Sequence, residues 1–126
     1  MGAIVGQFDI VVSALPLAPE TAGIFSAQVI GAMKPGAFFV NVGRGDLVDE
    51  AALLAALQSG QLGGAGLDVF VHEPLPPDSP LWDAPNTYIT PHNSANVASI
   101  SERATEIFLD NLGRDVRGEP MRNIAS

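Results

Sequence analysis

The sequence contains no cysteine among its 126 residues. A disulfide framework, a thiolate metal site and a cysteine nucleophile are therefore excluded. Proteins without disulfides are typical of the cytoplasm, and we expect a cytoplasmic protein.

Basic residues are also scarce. Six Lys and Arg stand against fourteen Asp and Glu, which gives a net charge of −8. This balance argues against nucleic acid or an anionic membrane as the main partner, because both reward clustered Lys and Arg. Aromatic residues make up only 6% of the chain and offer little for stacking on nucleic-acid bases. A small anionic ligand needs only one or two donors and stays possible.

Long apolar runs are missing too. No stretch approaches the length of a membrane span, and the first residues lack the basic start of a secretory signal. Neither a membrane nor secretion is therefore predicted from the sequence.

Short apolar segments, by contrast, alternate with segments of helical character. Strands are predicted at 9–15, 37–42, 63–71 and 87–90. Three helices are predicted: one capped by Ser26, one capped by Asp49 and ending at Gly60, and one over roughly 95–117. The strands are apolar throughout, which is typical of a parallel sheet covered on both faces. The fold class is therefore α/β.

Ligands of such sheets lie beyond the carboxyl ends of the strands. Arg44, Glu73 and His92 each follow a different predicted strand and can converge at this edge. The planar fork of Arg44 suits two oxygens of a carboxylate. Alternatively, Arg44 pairs with Asp46 or Asp49 at the start of the next helix, and the local sequence favours neither interpretation.

Four blocks carry a resemblance to a known family: "LPLAPET", "NVGRGDLVDEAALLAAL", "GAGLDVFVHEPLP" and "ITPHNSA". In this order and spacing they resemble the second half of the cofactor-binding domain of the D-isomer-specific 2-hydroxyacid dehydrogenases. The resemblance implies a partial Rossmann-type parallel sheet, the second half of a doubly wound dinucleotide-binding domain, with a long C-terminal helix. It also implies hydride transfer between NAD or NADP and a small 2-oxo or 2-hydroxy acid. Glyoxylate or hydroxypyruvate is the favoured substrate type, and the full-length protein is expected to be a homodimer.

The resemblance assigns three catalytic residues. Arg44 resembles the arginine that binds the carboxylate and carbonyl oxygens of the substrate, and His92 resembles the general acid/base. Imidazole titrates near neutral pH and suits that role. Glu73 resembles the carboxylate that orients the imidazole. The alternatives are a His92 ring bonded to backbone and a solvated Glu73.

Eight cofactor-binding residues also follow from the resemblance. Asp68 matches the residue that binds the nicotinamide carboxamide, although it could instead cap a neighbouring backbone turn. Seven others match positions beside the adenosine or the nicotinamide: Leu15, Pro16, Thr21, Val42, Gly43, Asn93 and Ser94. No metal is implied. His72 is expected to face solvent. Trp82 could line the substrate pocket, but packing is the favoured interpretation for a tryptophan in a loop, and it is not assigned to the site.

The glycine-rich phosphate-binding turn of such domains does not occur in the sequence. Neither "GRGDLV" nor "GGAGLD" has the G-x-G-x-x-G spacing between a strand and a helix. We therefore expect residues 1–126 to be a partial NAD(P)-binding domain, a fragment of a longer enzyme that is inactive alone and self-associates. Two other hypotheses remain: a non-catalytic interaction protein that pairs through an exposed half-sheet, and an acidic α/β module without a ligand.

Overall fold

The computed structural model describes residues 2–124, and the chain divides after Ser94 into two compact units. The first unit contains α1 (Gly2–Val5), β1 (Ile10–Ser13), α2 (Ala27–Gly31), β2 (Ala37–Asn41), α3 (Glu50–Gln58), β3 (Leu62–Leu67) and β4 (Thr87–Ile89). Short 3-10 turns occur at Gly45–Leu47 and Pro80–Asp83. The second unit contains α4 (Ile100–Val116).

The four strands form one parallel sheet in the order β1-β2-β3-β4. Each strand therefore pairs with the next one along the chain, through a crossover that contains helical or loop structure. This architecture confirms the predicted α/β parallel fold. It also brings the carboxyl ends of all four strands to one edge.

The core lies on a single face of the sheet. Phe39 of β2 is fully buried there, with its ring centroid 4.9 Å from that of Phe25. Ile30 of α2 and Leu53 of α3 are buried in the same cluster. Crossovers between parallel strands of a sheet are nearly always right-handed. When successive strands follow one another in the same direction across the sheet, the helices that connect them therefore lie on the same face. Helices α2 and α3 therefore share one face.

The opposite face bears exposed apolar side chains. This corrects the prediction that both faces are covered and that the first strand is buried, and it agrees with the exposed half-sheet expected of a partial domain. Ile10 and Val12 of β1 are 62% and 58% exposed, and Tyr88 of β4 is 77% exposed. Phe38 pairs in register with Ile10 and is exposed on the same face. We call these four residues the open sheet face. Successive side chains of a strand point to opposite faces of the sheet, so every second residue of β1 and β2 lies on the open sheet face.

Several boundaries differ from the prediction. Asp49 caps α3 as predicted, its carboxylate accepting from the Ala52 N–H at 3.0 Å. Ser26 precedes α2, but its hydroxyl makes no capping hydrogen bond and the helix has only five residues. The third strand ends at Leu67 rather than Val71, because residues 68–71 turn into the candidate site. The long helix begins five positions later than 95.

The second unit is an amphipathic helix with a short tail. None of the residues of α4, all of which the structure describes, is buried. Asp110 forms an i,i+4 ion pair with Arg114, and Asn111 exchanges two hydrogen bonds with the backbone of Arg122. Among residues 2–124, no helix is both long and apolar enough to cross a membrane.

Candidate active site

A histidine and a glutamate meet at the carboxyl edge of the sheet. His92 follows β4, and its Nδ1 lies 2.7 Å from Glu73 Oε2. The other oxygen, Glu73 Oε1, accepts the Phe70 N–H at 2.9 Å. Glu73 is thus held by two partners and is not simply a solvated loop carboxylate. The His92 ring bonds to this carboxylate, which leaves Nε2 as the ring nitrogen for other partners.

The Glu73 carboxyl is poised to stay ionised. The hydrogen bonds from His92 and from the Phe70 N–H lower the pKa of Glu73, and the charges of His92 and Arg44 lower it further, against the opposing effect of burial. An ionised carboxylate at Nδ1 fixes the orientation of the imidazole and favours a proton on Nδ1.

The backbone of His92 has an unusual conformation. Its φ of 50° lies in the left-handed region, which side-chain-bearing residues rarely adopt. The His92 N–H donates to Asp68 O at 2.8 Å and to Thr90 O at 3.1 Å. These bonds hold a conformation that directs the ring toward Glu73.

Asp68 follows β3 and is the buried charge of this edge, only 3% exposed. Its Oδ1 accepts the Asn93 N–H at 2.9 Å and the Thr90 hydroxyl, and its Oδ2 accepts the Ser94 N–H at 2.8 Å. Burial alone would raise the pKa of Asp68, but these hydrogen bonds outweigh it and hold the pKa far below the usual range. Asp68 therefore makes the turn-capping contacts of the alternative interpretation, and its nicotinamide role stays a prediction.

Arg44 lies in a turn that a buried asparagine organises. Asn41 Oδ1 accepts the Gly43 N–H at 3.1 Å, and Asn41 Nδ2 donates to Arg44 O at 3.0 Å. The Arg44 guanidinium donates to Gly43 O at 2.7 Å. Within residues 2–124, the ion pairs include none between Arg44 and Asp46 or Asp49. The exposed guanidinium is therefore available to a ligand.

The glycines beside Arg44 are needed for close backbone packing. A Cβ at Gly45 would lie 1.9 Å from the Phe70 carbonyl carbon, and one at Gly43 would lie 2.7 Å from Leu15 O. Real side chains do not fit at such distances. The Arg44 turn is thereby packed against the loops that carry Leu15 and Phe70.

The other predicted cofactor residues form two groups. Leu15, Pro16 and Thr21 share the loop after β1, where the Thr21 hydroxyl donates to Pro16 O at 2.8 Å. Leu15 adjoins Gly43, which follows the half-buried Val42. Asn93 and Ser94 are joined to Asp68 instead, as described above. All eight lie at the carboxyl edge of the sheet, and their cofactor role stays a prediction.

A cavity of about 450 Å³ adjoins the histidine–glutamate pair. It is lined by Phe70, Glu73, Pro74, Leu75, Trp82, Ile89, Thr90, Pro91 and His92. We call it the Trp82 cavity. Trp82 lines this cavity, which agrees with the pocket-wall interpretation that was considered for it but not favoured. Thr90 was not predicted as a site residue; the signal for it was a hydroxyl at a strand end, next to Pro91. His72 is exposed, as predicted.

The family model of the D-isomer specific 2-hydroxyacid dehydrogenase NAD binding domain matches residues 1–94. The chain belongs to this family. It is 44% identical over 115 residues to glyoxylate/hydroxypyruvate reductase B of Citrobacter koseri, covering 91% of this chain and 36% of that protein. The corresponding protein of Escherichia fergusonii is 42% identical over 117 residues, with 93% and 36% covered. The chain thus spans about a third of the length of the curated relatives it matches.

Solved structures agree with this family. A D-isomer specific 2-hydroxyacid dehydrogenase of Xanthobacter autotrophicus Py2, in complex with NADPH and MES, has a TM-score of 0.90 and 45% identity, with 99% of this chain and 51% of that chain covered. The NADPH-dependent glyoxylate/hydroxypyruvate reductase of Sinorhizobium meliloti, in complex with NADP and sulfate, has a TM-score of 0.88 and 38% identity, with 99% and 40% covered.

Proposed function

We propose that the chain is a partial NAD(P)-binding domain over residues 1–126 and acts as part of a longer dehydrogenase. Its reaction is the reduction of a small 2-oxo acid to a D-2-hydroxy acid, or the reverse. The observation that carries this proposal is the contact between His92 Nδ1 and Glu73 Oε2 at 2.7 Å, at the same sheet edge as an exposed Arg44. That combination offers a proton donor and an anion-binding group at one edge of the sheet.

Each residue has a distinct task in this proposal. Arg44 binds the carboxylate of the substrate and draws its carbonyl oxygen toward the edge of the sheet. His92 donates the Nε2 proton to that oxygen as it becomes an alkoxide, and takes the proton back in the reverse direction. Glu73 stabilises the imidazolium through Nδ1, because its lowered pKa keeps it ionised. The nicotinamide cofactor, when bound, supplies the hydride.

The donor set fits such a cofactor. Asp68 holds an ionised carboxylate at this edge, the kind of acceptor that an amide N–H needs, and it already accepts hydrogen bonds from Thr90, Asn93 and Ser94. The loop after β1 presents an exposed apolar Leu15 at the same edge. We favour NADP(H) over NAD(H), because the two solved relatives described above contain NADPH or NADP.

The proposal also includes the binding partners and the cellular location of the protein. Glyoxylate and hydroxypyruvate are the favoured substrates because the curated relatives carry those names. The open sheet face supports a homodimer of the longer protein, since exposed apolar patches mark interaction surfaces. A cytoplasmic location and the absence of a nucleic-acid partner rest on the missing cysteine and the net charge of −8.

The test uses the two histidines of the chain in the longer, active protein. His92→Ala should reduce kcat by about 10²–10⁴-fold, the usual contribution of general acid–base catalysis. The control is His72→Ala, whose side chain is exposed, and it should leave kcat unchanged. Steady-state oxidation of NADPH with glyoxylate measures both. Equal losses in the two variants would contradict the proposal.

One observation favours a second function, that of a non-catalytic interaction protein. The open sheet face and the free edge of β1 could pair with a full-length subunit. Co-purification of the 126-residue chain with a longer homologue, without any gain or loss of activity, would favour this function. NADPH oxidation that depends on His92 would favour the first.

A further inference from the structure

Two successive backbone N–H groups after β3 are bound by two different carboxylates. They belong to residues 68–73, which we call the Glu73 loop. The Phe70 N–H donates to Glu73 Oε1 within the loop at 2.9 Å, whereas the Val71 N–H donates to Glu50 Oε1 at 2.8 Å. Glu50 is half-buried and is the first residue of α3, the helix that follows the Arg44 turn. One hydrogen bond therefore links the Glu73 loop to the part of the chain that carries the anion-binding group.

The Arg44 turn also contacts the Glu73 loop directly, at the same peptide group. A Cβ added at Gly45 would lie 1.9 Å from the Phe70 carbonyl carbon and 2.3 Å from the Val71 nitrogen. The peptide group between Phe70 and Val71 thus packs on Gly45 while its N–H is bound by Glu50. Among residues 2–124, this is the only hydrogen bond that the backbone of Val71 or His72 makes. Glu50 therefore supplies the directional contact of an otherwise exposed segment.

We infer that Glu50 is a positioning residue for the reaction. Its carboxylate holds the Glu73 loop against the Arg44 turn, and the Glu73 carboxylate is thereby kept at His92 Nδ1. The inference rests on the proposed function, because Glu50 acts through the roles proposed for Glu73 and His92. A displaced catalytic group loses much of its effect on rate even when the shift is small.

A purely structural role would give different results. A carboxylate in the first turn of a helix stabilises that helix through the macrodipole, and Glu50 occupies this position in α3. Loss of that effect would weaken the fold without regard to Glu73. The decisive experiment must therefore ask whether the effect of Glu50 depends on the Glu73 carboxylate.

A double-mutant cycle in the longer, active protein answers this question. Glu50→Ala should lower kcat for the reduction of glyoxylate with NADPH by about tenfold. In a Glu73→Gln background the same substitution should lower kcat by less than about twofold, because no carboxylate remains to be positioned at His92. Equal factors in the two backgrounds would overturn the inference.

Two controls separate the hydrogen bond from charge and from stability. Glu50→Gln removes the charge but keeps an oxygen that accepts the Val71 N–H, and it should retain most of kcat. Ala55→Gly weakens α3 at an exposed position away from the loop, and it should leave kcat unchanged. A loss of kcat in either control as large as that in Glu50→Ala would contradict the inference.

A second test needs no turnover. In the 126-residue chain, Glu50→Ala should speed hydrogen exchange of the Val71 amide by about tenfold or more, whereas Glu50→Gln should change it less. An unchanged exchange rate in Glu50→Ala would overturn the inference. Failure of the proposed function is distinct: Glu73→Gln and His92→Ala would leave kcat unchanged, while the Val71 amide would still respond to Glu50→Ala.

Discussion

At the scale of single residues, the position of His92 depends on one buried carboxylate. Asp68 accepts from Thr90, Asn93 and Ser94 through its side chain and from His92 through its backbone carbonyl. These contacts fix the backbone on both sides of a residue whose φ is left-handed. A non-glycine residue in that region persists where its surroundings over-determine it. Asp68 and Thr90 are therefore positioning residues for the imidazole.

This arrangement predicts a pH-dependent effect of Thr90→Val. The folded pKa of Asp68 is depressed, so its stabilisation is complete above the ordinary pKa of 3.8 and is lost as the pH falls through the folded pKa. Loss of the Thr90 hydroxyl raises the folded pKa toward the ordinary value. The free energy of unfolding should fall by about 1 kcal/mol or more at neutral pH, and the difference should shrink below pH 3.8.

Urea unfolding of the 126-residue chain at several pH values measures this effect. The control is Thr90→Ser, which keeps the hydroxyl and should retain most of the stability at neutral pH. A loss in Thr90→Val that does not vary with pH would mean that the methyl groups, and not the bond to Asp68, determine the effect.

The sequence predicted part of this site. Arg44, Glu73 and His92 follow separate strands, and the parallel sheet brings their strand ends to one edge, as the pattern indicated. The contacts of Asp68 with residues 90–94 could not be read from the sequence, because they join positions at least 22 apart. The place of Trp82 in the cavity depends likewise on where its loop folds back, which local propensity does not determine.

At the scale of elements, the four strands and the two helices that follow Ser26 and Asp49 occur where the apolar pattern indicated. Their burial was predicted less well. An all-apolar strand indicates two covered faces, yet β1 is covered on one. The apolar composition of a strand indicates that both of its faces are suited to burial. Which segments cover those faces depends on other parts of the chain.

The Arg44 turn gives the element-scale prediction. Gly45→Ala should destabilise the fold by about 3 kcal/mol or more, because its Cβ would lie 1.9 Å from the backbone of Phe70. Gly31→Ala is the matched control: its Cβ meets nothing within 4 Å at the end of α2. That variant should gain about 0.4–1 kcal/mol. Thermal or urea unfolding measures both, and similar stabilities of the two variants would contradict the packing described here.

At the scale of the whole molecule, the open sheet face governs solution behaviour. Ile10, Val12 and Phe38 are exposed apolar residues of β1 and β2 next to the free edge of β1, and Tyr88 is exposed on β4 at the other edge of the sheet. Natural proteins protect such edges with charge, often lysine. The described part of β1, with the sequence Ile-Val-Val-Ser, has none.

Val12→Lys should therefore reduce self-association of the 126-residue chain. The control is Gln58→Lys, which adds the same charge at an exposed position of α3. Light scattering after size-exclusion chromatography should give a smaller mass for Val12→Lys than for the unsubstituted chain at the same concentration, and an unchanged mass for Gln58→Lys. A monomeric unsubstituted chain at all concentrations would refute the prediction.

The strand order also bears on how the molecule assembles. In the order β1-β2-β3-β4, every strand pairs with its predecessor in the chain, so no pairing requires a distant segment. Paired positions lie 22 to 28 residues apart, and the entropy of closing loops of this size rises only slowly with their length. Growth can then follow the order of synthesis, one strand at a time, and β4 is the last strand to join. Since β4 delivers His92 to Glu73, the imidazole reaches its partner only when the rest of the sheet is in place.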